Sequence, residues 1–310
     1  MKDKLVTLIG GGGFIGRYVA RDLLAGGARV RIAQRDPRDA WFLKTQGGLG
    51  QTQFIAADVT KPDTIARALA GADAVVNLVG ALSGDFVALQ VEGPRTIARA
   101  SAAAGVDTLV HISAIGADPA SDSAYGRTKD QGEAAVRAAF PAATILRPSI
   151  VFGREDQFIN RFAAMIASAP VVPVLRARVL FQPVFVGDVA AAVTAALADP
   201  HAAAQTFEIG GPDRIAMGAL IHWIARTIGR DPAILELPDM VGALIARGGF
   251  LPGAPITLDQ WRMLQHNNVV AGGAQGLGDL GVTATPLDAV APGWLVRYRR
   301  HGRFGARATA

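Results

Sequence analysis

Between Leu5 and Ser149 the chain repeats one unit: a short apolar run, then a stretch with helical spacing. The runs are "LVTLIG", "RVRIAQ", "QFIAAD", "DAVVNLVG", "DTLVHISA" and "ATILRPS". They are continuous rather than alternating, the pattern of strands covered on both faces of a parallel sheet. Between them, Phe14–Gly26, a short segment near Ala40, Thr60–Gly71, Phe86–Gly105 and Ser123–Phe140 read as helices, several closed by Gly. Parallel strands require right-handed crossovers, and a crossover helix after each strand supplies them. The spacing predicts an α/β fold with a doubly wound parallel sheet.

After Arg147 the rhythm loosens. Gln157–Ala169 reads as helix, "RVLFQPVFV" as extended chain, Gly187–Ala198 as an Ala-rich helix, "AQTFEIGG" as a strand and Met217–Ile228 as helix. Residues 230–290 are rich in Pro and Gly and promise shorter elements. A chain of 310 residues exceeds one ordinary core. We expect a main domain over residues 1–150, rejoined by a strand and helix from about 180–212. A smaller α+β lobe over 151–310, ending in a basic tail, is expected beside it.

The first strand hands over to its helix through "GGGGFIG". Gly10, Gly13 and Gly16 fall at G-x-x-G-x-x-G spacing. In a strand–turn–helix context that spacing allows a sharp turn, a pyrophosphate lying against bare backbone, and close helix–sheet packing. The helix N-terminus offers free N–H groups and partial positive charge to phosphate. A tight turn without ligand would not need Gly11 and Gly12 as well. Gly10, Gly12, Gly13, Phe14, Ile15 and Gly16 are therefore the expected dinucleotide contacts.

The end of the second strand reads "IAQRDP". An NAD site places an acid there for the ribose 2′-hydroxyl. Here Gln34 takes that place and Arg35 follows, a residue that grips a 2′-phosphate through charge-assisted bonds. NADP is favoured over NAD, with Asp36 keeping NAD in contention. Arg17 is either a further phosphate contact or a solvated cation. Asp58 and Val59, after the third strand, are placed to flank an adenine; an N-cap role for Asp58 or Thr60 is the structural alternative. Leu78, Val79 and Gly80 end the fourth strand as a wall for the ligand.

"SAYGRTK" puts Tyr125 and Lys129 on one helix face. An ammonium beside a phenol favours phenolate, which predicts a lowered Tyr125 pKa and a usable acid or base. Lys129 can also hold the nicotinamide ribose. Ser113 ends the fifth strand at the same sheet edge, where its hydroxyl could polarise a substrate oxygen; Ser123 is a second candidate. His111 reads as a strand-packed histidine with one nitrogen satisfied. His222 and His266 have no ligand partners at suitable spacing, so no metal is expected.

Composition sets the exclusions. The chain has no cysteine, which removes disulfides, thiolate metal sites and thiol catalysis. No window of about 18 uncharged apolar residues is present, and a soluble, cytoplasmic protein without a signal peptide is expected. No nucleic-acid motif or aromatic platform accompanies the formal charge of +5. The end, "WLVRYRRHGRFGARATA", holds five Arg and no acid. It is either a solvated, frayed tail or a contact for anionic lipid or an acidic partner. Arg147, Arg154, Arg161, Arg176 and Arg178 are scattered, as solvated or salt-bridged residues or as substrate clamps. Oligomeric state and substrate identity are not encoded in any of these patterns.

"GGGGFIG", "ADV", "NLVG", the Ser113/Tyr125/Lys129 set, "LRPSIVFG", "VFVGDVAAA" and "FEIGGP" together resemble the short-chain dehydrogenase/reductase superfamily, extended or atypical branch, over roughly residues 5–215. The resemblance implies catalytic roles for Tyr125, Lys129 and Ser113. It also implies that Pro148, Ser149 and Ile150 line the nicotinamide end of the site. "RIAQRDP", "HISAIGAD", "GRTKDQGE" and "PLDAVAPGWLVRYRR" are more narrowly similar to the nucleotide-binding accessory subunits of respiratory complex I and their bacterial relatives. That likeness implies tight NADPH binding, a link to ubiquinone biosynthesis, and peripheral contact with a membrane or respiratory complex through the basic C-terminus. Two function classes follow: an NADP-dependent oxidoreductase or epimerase/dehydratase acting on a small carbonyl or hydroxyl compound, and a non-catalytic nucleotide-holding accessory or assembly protein.

Overall fold

The computed structural model describes residues 1–249 and 256–304. Two compact units emerge from the chain. The first comprises Met1–Pro148, Val186–Ile209 and Ala271–Thr283; the second comprises Ser149–Phe185, Gly210–Val270 and Ala284–Ala310.

In the first unit the apolar runs become strands. They are β1 (Leu5–Ile9), then α1 (Phe14–Ala25), β2 (Arg29–Gln34), β3 (Thr52–Ala56), α2 (Pro62–Leu69) and β4 (Ala74–Asn77). There follow α3 (Gly93–Ala103), β5 (Thr108–Ile112), α4 (Ala124–Ala139), β6 (Thr144–Pro148), α5 (Val186–Ala198) and β7 (Thr206–Ile209). The sheet order is β7-β6-β5-β4-β1-β2-β3, and every pairing is parallel. This is the doubly wound architecture read from the sequence. The order reverses at β1, which lies between β2 and β4, and ligands of such sheets bind beyond the carboxyl ends at that point.

Strand alternation divides the apolar side chains between two faces. Ile9, Val75, Leu109 and Ile145 pack with Ile65, Ile97 and Val136 from α2, α3 and α4. On the opposite face Leu8, Ile32, Val76 and Val110 are buried, and α1 packs against α5. Each such side chain is worth roughly 1.5–3 kcal/mol when fully buried, which is why every strand here reads as a continuous apolar run.

Two local departures refine the sequence reading. The segment near Ala40 is a 3₁₀ stretch, Pro37–Gln46, started by Asp36, whose side chain accepts from Arg38 N. The helix expected over Phe86–Gly105 contains a π turn at Ala88–Glu92 just before α3. π turns inside helices recur at functional positions.

The second unit has its own core. Phe152, Ile159, Val172, Phe181, Leu220 and Ile224 pack with Leu287 and Leu295. A parallel pair, Val171–Leu175 with Ala233–Leu237, forms an edge that the sequence reading did not resolve. As far as Arg299 the C-terminal segment is packed, unlike the frayed tail of the first alternative. Leu295 is fully buried, Trp294 packs on Phe152, Arg297 donates to Asn160 Oδ1 at 2.7 Å, and Arg299 donates to Thr227 O. Arg307 lies outside the described residues. The second unit holds fourteen arginines, no lysine and eight acids, a balance of +6. The charge surplus of the chain therefore belongs to this unit. Among the described residues no helix is long and apolar enough to cross a membrane.

Candidate functional site

The glycine run is required atom by atom. Gly10 has φ +84°, a left-handed conformation that side chains resist. A Cβ on Gly11 would come within 2.8 Å of Leu8 Cβ, and one on Gly16 within 2.5 Å of Gly11 O. A Cβ on Gly12 would strike the Gln34 side chain. Gly13 starts α1 with extended backbone, no side-chain cap and no acid in the first turn. The first N–H groups of a helix lack partners inside it. Phe14, Ile15 and Gly16 thus present donors and partial positive charge beside a backbone turn that carries no side chains.

Gln34 does more than replace an acid. Its Oε1 accepts from Gly12 N at 3.0 Å and its Nε2 donates to Asp36 O at 2.7 Å. The side chain locks the glycine loop to the end of β2. Asp36 is engaged by the Arg38 side chain, Nε to Oδ1 at 2.9 Å and to Oδ2 at 3.1 Å and Nη2 to Oδ2 at 2.6 Å, and by Arg38 N at 3.0 Å. Those bonds hold the Asp36 carboxyl down at about 2. Arg35 is exposed and makes no hydrogen bond or ion pair among the described residues; its charge is felt at Asp58. Arg17 lies over the Phe42 ring at 4.8 Å. Asp58 accepts from Thr60 N at 3.0 Å and Thr60 Oγ1 at 2.8 Å, which lowers its pKa, and Val59 beside it is buried.

Asn77, which sequence reading passed over, organises the wall after β4. It is buried, donates to His111 Nδ1 at 2.9 Å and accepts from Val79 N at 3.1 Å. Asn77 pairs in register with His111 across β4 and β5, a neighbour distant in sequence that no local signal announces. His111 is held neutral, its pKa pulled to about 3 by burial and by the Lys129 charge. Its Nε2 is buried without a partner among the described residues. Leu78 and Val79 lie 3.5 Å from where a Gly10 side chain would start, and Lys129 Nζ lies 3.6 Å from the equivalent point on Gly80.

Tyr125 and Lys129 share a face of α4, with Nζ 5.8 Å from the phenol ring centroid. Lys129 is 4% exposed, and among the described residues its one hydrogen bond goes to Ile112 O at 3.3 Å. Burial draws its pKa to about 8 against an opposing pull from Glu133. A buried ammonium with one long bond has donors to spare for a polyhydroxylated ligand. Tyr125 departs from expectation: burial pushes its pKa up to about 12. Loss of hydration outweighs the nearby charge, so the phenol keeps its proton.

Ser113 is buried and donates to Glu133 Oε1 at 2.5 Å. Arg147 holds the same carboxylate through bonds of 2.8 and 2.7 Å, and approaches Glu208 at 3.7 Å. Ser123 caps α4, accepting from Gly126 N at 2.9 Å. Pro148 O accepts from Ile115 N at 3.0 Å. Ser149 and Ile150 belong to the second unit, where both donate to Asn268, Ser149 Oγ at 2.6 Å and Ile150 N at 3.1 Å to Oδ1. Arg176 pairs with Asp239 at 2.5 Å in the same unit. Among the described residues no cluster of His, Asp and Glu could hold a metal.

The cradle fits a dinucleotide: bare backbone at the turn, an uncapped helix start and a buried, underused ammonium on one sheet edge. The family described as NAD dependent epimerase/dehydratase matches residues 6–210. The chain is 36% identical over 308 residues to the NADH dehydrogenase (ubiquinone) 1 alpha subcomplex subunit 9, mitochondrial, of Mus musculus, spanning 96% of this chain and 81% of that one. It is 28% identical over 275 residues to the ceramide reductase of Caulobacter vibrioides, spanning 85% of each. Citrobacter triphenylmethane reductase, solved with NADP(H), superimposes with a TM-score of 0.77 over 93% of this chain and 99% of that one; at 17% identity this is a likeness of fold. By the glycine turn, the parallel sheet behind it and the extent of these matches, the chain belongs to the NAD dependent epimerase/dehydratase family.

Proposed function

We propose that the first unit binds NADP(H) and acts as an oxidoreductase, or an epimerase/dehydratase, on a small carbonyl or hydroxyl compound. The observation that carries this reading is Lys129: a buried ammonium with one long hydrogen bond, beside Gly80 and Tyr125. Gly10, Gly12, Gly13 and the first turn of α1 would hold the pyrophosphate. Arg35 would meet a 2′-phosphate, while Asp36 is already neutralised by Arg38. Asp58 and Val59 would flank the adenine, and Pro148, at the end of β6, would line the nicotinamide end. The nicotinamide, when bound, supplies or takes up hydride.

The chain's own groups manage the proton. Tyr125 is protonated at neutral pH and so serves as the acid toward a substrate oxygen. The phenolate left behind is stabilised by the Lys129 ammonium. Ser113, expected to polarise the substrate oxygen, has its proton committed to Glu133 and would offer a substrate only its lone pairs. Tyr125→Phe should abolish turnover and leave NADPH affinity within about twofold, read by calorimetry beside NADPH oxidation. Equal loss of both would overturn the acid role.

A second reading is favoured by one observation: a complex I subunit is matched along 96% of this chain. In that reading the nucleotide stabilises a non-catalytic accessory or assembly protein through mass action, cytoplasmic and peripheral at the inner face of the membrane. The +6 balance of the second unit suits contact there. Co-purification with the membrane-bound respiratory complex, lost in Arg300→Glu, supports it; recovery of the protein wholly apart from membranes opposes it.

A further inference from the structure

The stretch that follows the β4 wall is Ala81–Val87, "ALSGDFV". Its base is held by Gln90 of the π turn. Gln90 is buried, donates to Ala81 O at 2.7 Å and accepts from Thr128 Oγ1 of α4 at 2.9 Å. The stretch is therefore tied to the residue next to Lys129. Gly84 turns it with φ +93°. Its one charged residue, Asp85, caps the following helix by accepting from Ala88 N at 2.9 Å. Phe86 then lies edge-on to Tyr125, ring centroids 6.1 Å apart and planes at 82°.

This stretch shows two large apolar side chains to solvent, beside the exposed Ser83 and Asp85. Leu82 is 58% exposed and Val87 52% exposed, on either side of Phe86 in sequence. No cation lies between Gly80 and Gln90. In α4, Arg127 is directed to Ser121 O at 2.6 Å. A negatively charged substrate arm lying along this stretch would meet the Asp85 carboxylate and no cation of the stretch itself. An apolar arm would find three side chains whose hydration it can relieve.

We infer that Leu82, Phe86 and Val87 select the substrate: the compound presented to Tyr125 carries an uncharged, apolar arm, a hydrocarbon chain or unsubstituted ring, and Phe86 is a specificity-determining residue. This rests on the reading of Tyr125 as the group that meets the substrate oxygen. The π turn is the device that sets it, because Gln90 fixes both the start of the stretch and its attachment to α4.

The test uses straight-chain alcohols from butanol to octanol, titrated into full-length protein by calorimetry with and without saturating NADPH. No turnover is needed. Each methylene buried should tighten binding about fourfold. Leu82→Asp and Val87→Asp, both at exposed positions, should flatten that chain-length dependence and leave NADPH affinity unchanged; Phe86→Ser should do the same. UDP-glucose serves as the anionic counter-probe and should not bind. Affinity independent of chain length, a dependence unchanged in both exposed-site variants, or UDP-glucose binding would each overturn the inference. Failure of NADPH to bind would instead strike the nucleotide reading, while the alcohol series without nucleotide still tests the apolar stretch.

Discussion

Ser113 Oγ and Glu133 Oε1 stand 2.5 Å apart beneath α4, with Arg147 closed on the same carboxylate. A carboxylate gripped by a guanidinium is an acceptor only, so the hydroxyl must be the donor. This arrangement ties β5, β6 and α4 together with alternating charge. Lys129 precedes Glu133 by one turn, and Glu208 on β7 stands beyond Arg147. Tyr125 and Lys129 keep their places because α4 is fastened to the sheet at this polar layer as well as by Val136.

Glu133→Ala removes one partner of a buried pair and leaves the Arg147 charge with a single, longer contact. Breaking such a pair costs about 3–5 kcal/mol. Urea denaturation should show a loss of that order. Ser113→Ala removes one charge-assisted bond and should cost less, about 1–3 kcal/mol. Equal effects would mean that the Arg147 bridge adds nothing.

Nucleotide choice should turn on two arginines with different work. Arg35 makes no ion pair among the described residues, so Arg35→Asp should weaken NADPH binding by roughly ten- to a hundredfold and NADH binding far less. Arg38→Ala releases Asp36 from its partner and should improve NADH relative to NADPH, since a freed carboxylate suits a 2′-hydroxyl. Titration of both nucleotides against both variants checks this; parallel losses would contradict it.

The buried Lys129 and the half-buried Tyr125, both on α4, bend the pH dependence of stability in opposite directions. Lys129 falls from 10.5 unfolded to about 8 folded. Between those values the unfolded chain binds more protons, so stability rises with pH from about 8 to 10.5. Tyr125 rises from 10.0 to about 12. Between those values the folded chain holds the extra proton, so stability falls as pH climbs. In nucleotide-free protein Lys129→Met should be the more stable form at pH 7, by roughly 3 kcal/mol at most. That advantage should shrink toward pH 10.5, as read from urea midpoints across the range.

The sheet was legible because both its faces are covered: every strand had to be apolar throughout, and every crossover had to be a helix. The glycine turn was legible because backbone geometry leaves no alternative at Gly10, Gly11 and Gly16. What escaped were consequences of neighbours distant in sequence. Nothing local shows that Gln34 would bond Gly12 N, that Asn77 would meet His111 across two strands, or that Glu133 would take the Ser113 proton. The expected lowering of Tyr125 considered the lysine one turn away and not the burial supplied by the rest of the fold. The described residues of the second unit were harder still, because their strands are short and their pairing, such as Val172 with Ile234, joins segments far apart in the chain.

The C-terminal segment carries the last prediction. Its five arginines suggested a mobile tail, yet Leu295 is fully buried with Phe152, Leu220 and Leu287, and Arg297 and Arg299 bond to Asn160 and Thr227. Leu295→Ala should destabilise the protein by about 2–5 kcal/mol, the usual cost of a core cavity. Removing everything from Pro292 onward should therefore act on the fold of the second unit before it acts on any surface contact. Arg300→Glu, at an exposed position, should leave the melting temperature within about 2 °C, because surface substitutions usually stay within ±0.5 kcal/mol. Thermal melts of the three proteins separate the roles. A melting temperature unmoved by the truncation would show that Leu295 and Trp294 contribute nothing to the core they line.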